Sequence, residues 1–203
     1  MTALEIADIV GIVCFALSGF LIAVHYKLDI LGVFISAFLT ALGGGMIRDV
    51  LADRTPYVFT DTTPVLLVVA TVLISLVLKL HKIDDLEGKK TFIISDAVGL
   101  VSFAITGSLI AIDNGYNFLG VLILAFITAV GGGTIRDVLI NRVPSVLVSE
   151  FYATVAIIIG LITYVLHLLD MTNLLNLTMV FIFGVALRLL AYYKDWHLPT
   201  LSK

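Results

Sequence analysis

One heptapeptide occurs twice, and nothing else in the chain restricts its fold as much. Gly43-Gly44-Gly45-Met46-Ile47-Arg48-Asp49 returns 88 residues later as Gly131-Gly132-Gly133-Thr134-Ile135-Arg136-Asp137. The same offset pairs Asp8 with Asp96, Gly11 with Gly99, Phe15 with Phe103 and Gly19 with Gly107. It also pairs Thr40 with Thr128, Arg54 with Arg142 and Pro56 with Pro144. Charged, Gly and Pro residues in register are not produced by chance likeness of apolar segments. The chain is built from two copies of one unit, so any site formed by one copy has a counterpart in the other.

Both heptapeptides end long apolar runs, Ile30 to Leu42 and Phe118 to Val130. With 60% hydrophobic and 13% charged residues, the chain lies far from a soluble domain, where about a quarter of residues are charged. This is the composition of an all-α integral membrane protein. Seven segments suit spanning helices of about 20 residues, with centres in 6–24, 30–51, 64–80, 92–112, 118–140, 146–168 and 174–193. The predicted layout is a three-helix repeat (1–82), a polar cytoplasmic loop (83–91), a second three-helix repeat (92–170) and a seventh helix with a polar tail (171–203). Three is odd, so the second copy enters the membrane from the opposite side, giving two inverted repeats.

Lys and Arg set the orientation. Of the twelve, only Arg48 and Arg54 fall at the end shared by the N-terminus. The reading is N-terminus outside and C-terminus cytoplasmic. With Glu5 and Asp8 and no basic residue before the first apolar run, the start lacks the positive region of a signal peptide. A net charge of −3 argues against nucleic acid as a partner. The single cysteine, Cys14, excludes an internal disulfide, and four scattered histidines offer no metal-ligand spacing.

Three glycines in a row cost about 1 kcal/mol each relative to Ala inside a helix. Gly43, Gly44, Gly45 and Gly131, Gly132, Gly133 are therefore expected to break or kink helices two and five, exposing carbonyls to a wet pathway. The alternative is that they only permit close packing. Arg48, Asp49, Arg136 and Asp137 at membrane depth are functional candidates by their cost alone. Sequence neighbours point about 100° apart on a helix, so each Arg is expected to seek a carboxylate of the other repeat. Ser18, Thr40, Thr106 and Thr128 are candidate pore-lining hydroxyls, or else back-bond to helix carbonyls. Phe15 and Phe103 are packing residues or a hydrophobic gate. No convergent nucleophile, base or metal set points to an enzyme, and no obvious buried acid suggests proton coupling.

The doubled GGG-xx-RD-VL, the R-x-P that follows each, and the three-plus-three-plus-one layout resemble the trimeric intracellular cation channel family in its prokaryotic branch. The resemblance covers residues 8–193. It implies a homotrimer in a prokaryotic plasma (inner) membrane, with a potassium-permeable pore inside each protomer. It places helices two and five, kinked at Gly43–Gly45 and Gly131–Gly133, along that pore, with Arg48, Asp49, Arg136 and Asp137 at the family's charged positions. Besides the permeant K+ or Na+, it implies no cofactor, with a bound lipid as the one further candidate. An older family label keeps a second function open: a secondary transporter of a small zwitterion such as glycine. Lys79, Lys82, Lys89 and Lys90, interleaved with acids, do not match the lipid-binding cluster of animal members.

Overall fold

The computed structural model describes residues 2–83, 85–148 and 151–196, with 85–87 as backbone only. Every regular element among them is helical. The chain runs through α1 (Ala3–His25), α2 (Ile30–Leu51), α3 (Tyr57–Thr60), α4 (Thr63–Val77), a 3-10 turn (Leu80–Lys82), α5 (Asp85–Asp113), α6 (Phe118–Leu139), α7 (Ser145–Val148), α8 (Tyr152–Leu168) and α9 (Leu174–Tyr193). The tail beyond Trp196, counted above with the basic side, lies outside the described residues.

Local chemistry explains the helix ends. Thr2 and Glu5 form a reciprocal capping box on α1, satisfying two amide donors that the first turn leaves free. Asp29 caps α2 by accepting the Gly32 N–H at 2.7 Å. Asn117 does the same for α6 with Gly120 at 2.9 Å. These caps sit at the repeat offset, so even helix starts are copied. Lys27 and its counterpart Gly115 both turn the chain at positive φ, as do Asp53 and Asn141.

Among the described residues five helices are long and apolar enough to cross a membrane: α1, α2, α5 from Gly88, α6 and α9. The third and sixth expected spans come out differently. α4 has 15 residues and α8 has 17, short of the roughly 20 needed for a straight crossing. The sixth begins as the separate turn α7, and Phe151, at φ 48°, redirects the backbone before α8. Most of the polar loop read at 83–91 is instead the opening of α5, because nothing in 85–91 breaks a helix apart from Gly88.

α1 and α5 form the centre. The α5 span is 83% buried, whereas that of α9 is 28% buried. The two central helices pack antiparallel. Gly11 faces Phe103 and Gly99 faces Phe15, and the two rings meet at 5.2 Å. Each missing Cβ makes room for the other repeat's phenylalanine. α2 packs on α1 and α6 on α5, α2 and α6 cross each other, and α9 lies against α5 and α8. Gly19 and Gly107, paired by the repeat, serve these internal packings. A Cβ on Gly19 would stand 2.7 Å from the Ser36 carbonyl, and one on Gly107 2.7 Å from that of Leu124.

Candidate functional site

The site grows from the crossing of α2 and α6. Both helices run unbroken through their glycines, so the expected backbone breaks are absent. In an apolar bundle no water competes for the carbonyls, and leaving the helix ladder would orphan them. The glycines lower the contact distance instead. A Cβ on Gly44 would collide with the Thr128 carbonyl oxygen, and one on Gly132 with that of Thr40. Gly45 and Gly133 have more room: their nearest neighbours would be the Arg48 Nη2 at 3.8 Å and the Tyr152 hydroxyl at 3.4 Å. The middle glycine of each triplet is therefore the one the crossing cannot do without.

Thr40 and Thr128 present those carbonyls to the opposite helix. Their own hydroxyls donate to the Ser36 and Leu124 carbonyls, each at 2.6 Å. This is back-bonding.

One turn beyond the crossing, each arginine anchors a cluster. Arg48 donates from Nε to Asp49 Oδ1 at 2.9 Å and from Nη1 to Asp8 Oδ1 at 3.0 Å. The same Nη1 donates to the Thr106 hydroxyl at 3.2 Å. Arg136 copies this with Asp137 at 3.0 Å, Asp96 at 3.0 Å and the Ser18 hydroxyl at 2.8 Å. Two expectations fail here. Adjacent Arg and Asp do pair, because the long planar guanidinium fans its five donors over more than one direction. The second carboxylate comes from the arginine's own repeat, and only the hydroxyl crosses over. Ser18 also donates to Asp96 at 3.0 Å, and Thr106 to the Phe103 carbonyl at 3.3 Å.

The second oxygen of each paired Asp ties down the next turn. Asp49 Oδ2 accepts the Tyr57 N–H at 2.9 Å. Asp137 Oδ2 accepts the Ser145 N–H at 2.8 Å and its hydroxyl at 2.9 Å. The R-x-P motif thus has a mechanical purpose. The chain reverses at Asp53 or Asn141, and Pro56 or Pro144 delivers the following amide to the carboxylate. Outside the spans, Asp61 accepts from the Thr63 N–H at 2.7 Å and the Tyr57 hydroxyl at 2.9 Å. Hydrogen bonding from Thr63, then Tyr57, holds its carboxyl below the usual range.

Burial is deep. Arg136 and Asp137 are both 0% exposed, so these charges persist only as a paired, hydrogen-bonded network. Phe92 lies under the Arg136 guanidinium at 5.1 Å, and the Tyr152 ring lies under Arg188 at 4.9 Å. Arg136 Nη2 and the Tyr152 hydroxyl have no hydrogen-bond partner among the described residues, and both border Gly133.

Each cluster borders a cavity. One, of about 30 Å3, is lined by Asp8, Arg48, Asp49, Tyr57, Pro64 and Phe103 among others. The other, of about 650 Å3, includes Asp96, Ser145, Tyr152, Lys89, Arg142 and Arg188. Asp8, Tyr57 and Pro64 are the repeat counterparts of Asp96, Ser145 and Tyr152, so the cavities are equivalent places. They share no lining residue and meet opposite ends of α1, one at Asp8 and Ile12, the other from Leu21 to Tyr26. Phe103 lines the smaller one, while Phe15 packs against it in the core.

Asp8 and Asp96 were missed as site residues although they align in register. A carboxylate inside an apolar span was the signal. They also supply the buried acids that the sequence seemed to lack. Tyr152 had none, because its repeat counterpart is Pro64.

Comparison with known proteins agrees with this architecture. A family model described as Glycine transporter matches residues 5–82 and 93–168. The UPF0126 membrane protein YvgT of Bacillus subtilis is 36% identical over 200 residues, covering 98% of this chain and 97% of that protein. The UPF0126 inner membrane protein YadS of Escherichia coli K12 is 41% identical over 155 residues, covering 76% and 74%. A solved TRIC cation channel superposes with TM-score 0.84 at 36% identity over 98% of this chain and 97% of the other. The TRIC trimeric intracellular cation channel orthologue from Rhodobacter sphaeroides gives 0.88 at 26% identity over 96% and 100%. These structural relatives are channels, not enzymes. The chain is an integral membrane protein, and it belongs to the trimeric intracellular cation (TRIC) channel family.

Proposed function

We propose that the protein is a passive monovalent-cation channel, potassium-permeable, with one pore inside each protomer of a homotrimer. The observation that carries this reading is the pair of equivalent Arg–Asp–Asp–hydroxyl clusters, each bordering a cavity at opposite ends of α1. A path joining the cavities passes the α2–α6 glycine crossing and the Phe15–Phe103 pair. In the state described here each arginine is tied to two carboxylates across that route, which is a closed arrangement. Opening requires α2 and α6 to part enough for hydrated carbonyls and carboxylates to face the gap, where oxygen ligands suit a monovalent cation.

In the membrane, the antiparallel packing of α1 on α5 supports inverted repeats, with the short α4 and α8 completing seven crossings. The N-terminus then lies outside and the C-terminal end of α9 at the cytoplasmic face of a bacterial inner membrane.

One observation favours a second reading. Arg136 Nη2, without a hydrogen-bond partner among the described residues, stands with the Tyr152 hydroxyl beside Gly133, a donor suited to the carboxylate of a small zwitterion, and the family model carries a glycine-transporter description. Purified protein in planar bilayers and proteoliposomes separates the two. The channel reading expects unitary K+ currents and no saturable glycine uptake. Saturable uptake without unitary currents refutes it.

A further inference from the structure

The two arginine clusters are copies, but they do not meet their cavities in the same way. The small cavity is lined by Gly45, Arg48 and Asp49 themselves, with Pro64 beside them. Its volume of about 30 Å3 suits about one water, and Arg48 is 4% exposed. The counterparts Gly133, Arg136 and Asp137 are not among the described residues that line the large cavity, and Arg136 is 0% exposed. The difference lies at one position. Where the first repeat has Pro64, the second has Tyr152, which does line the large cavity. Its hydroxyl reaches Gly133, where a Cβ would stand 3.4 Å from that oxygen and 3.6 Å from Arg136 Nη2. The phenol side chain therefore stands between the cavity of about 650 Å3 and the arginine.

The tip of this side chain is not fastened. Tyr152 is 2% exposed, yet neither its hydroxyl nor Arg136 Nη2 has a hydrogen-bond partner among the described residues. Asp96 is close enough to act on the hydroxyl electrostatically. Its Oδ1 is already held by Arg136 and Ser18, and the hydroxyl does not meet it in hydrogen-bonding geometry. Polar groups buried without a bond are costly. Two opposed tendencies follow. Burial of the ring, and its contact with the Arg188 guanidinium at 4.9 Å, hold the side chain in. Hydration of the hydroxyl and of Nη2 draws it out. We propose that Tyr152 is the gating residue of the second repeat, a plug that turns out into the large cavity, admits water to Arg136 and lets that cluster loosen. The inference rests on the channel reading above. Pro64 has neither the length nor the hydroxyl to cover Gly45, so the plug acts at one end of the route only.

The test is single-channel recording of the full-length protein in symmetric KCl, with melting curves of the same variants. Y152F keeps the ring and removes the unbonded hydroxyl. It should lower the ratio of open to closed time about tenfold and melt at or above wild type. Y152A removes the plug. It should raise that ratio about tenfold and melt below wild type. A residue that only packs would lower the melting temperature in both variants and move the ratio the same way in both. If Y152A does not assemble, Y152L takes its place, because its side chain stops short of Gly133. If neither assembles, Y152F decides alone. A ratio in Y152F equal to or above that of wild type overturns the proposal while leaving the channel reading standing. So does a ratio in Y152A or Y152L equal to or below that of wild type. Absence of unitary current from wild-type protein that elutes as a folded oligomer overturns the channel reading itself, and this proposal with it.

Discussion

Replacing Asp137 by Asn probes whether the buried carboxylates are structural ties. Asp137 is 0% exposed, and its two oxygens accept three hydrogen bonds, from Arg136 Nε and from the amide and hydroxyl of Ser145. All four donor and acceptor groups are buried. Asn keeps one acceptor oxygen and turns the other into a donor, which must face either a guanidinium N–H or the Ser145 groups. The loss is at least one charge-assisted hydrogen bond, worth about 1.5–3 kcal/mol, together with half of the charge balance around Arg136. Asp96 keeps the arginine from being wholly unpaired. The total should approach the roughly 3–5 kcal/mol found on breaking a buried pair. For a chain of this size each kcal/mol moves Tm by about 2–4 °C, so D137N should melt about 6–20 °C below wild type in detergent. D49N should lose less, because Asp8, the second acid of that cluster, has a side chain 13% exposed and water can reach it. Adding R136Q to D137N should recover part of the loss, since it removes the excess buried charge. The reasoning is refuted if D137N melts within about 2 °C of wild type, or if R136Q makes it worse by its full independent cost.

The glycine triplets should split by position. G44A and G132A place a Cβ against an opposing carbonyl oxygen and should lower thermal stability or abolish assembly, whereas G45A meets nothing closer than 3.8 Å and should gain up to about 1 kcal/mol from helix propensity; melting curves of the purified variants decide this. If each protomer carries its own pore, trimers with one pore-dead subunit should lose about a third of their conductance in recordings of tagged, purified mixed trimers, whereas complete loss would mean a shared pore. Cysteines introduced at Thr2 and Lys194 should react with an impermeant thiol reagent from opposite faces of sealed cells. Reaction from the same face would exclude seven crossings.

Much of this was legible in the chain, and for local reasons. Apolar run length announces membrane helices, caps such as Asp29 and Asn117 mark their starts, and an in-register repeat guarantees paired sites. The repeat also points to the heptapeptides whose arginines and aspartates form the two buried clusters. Three matters belonged to tertiary structure. Helix propensity predicts a break at three glycines, but it is a weak local preference, and Gly44 and Gly132 stay helical because the facing backbone occupies the space their missing side chains leave. The pairing of Arg48 and Arg136 depended on the reach of the guanidinium and on where antiparallel packing of α1 and α5 brings Asp8, Asp96, Ser18 and Thr106. These distances in space have no trace in sequence spacing. The unequal size of the two cavities, about 30 and about 650 Å3, arises from what packs around them: Tyr152 stands where the first repeat has Pro64, and Arg188 comes from α9, outside the repeat. A copied sequence determines equivalent backbones, but the space at each mouth is set by every element that packs there.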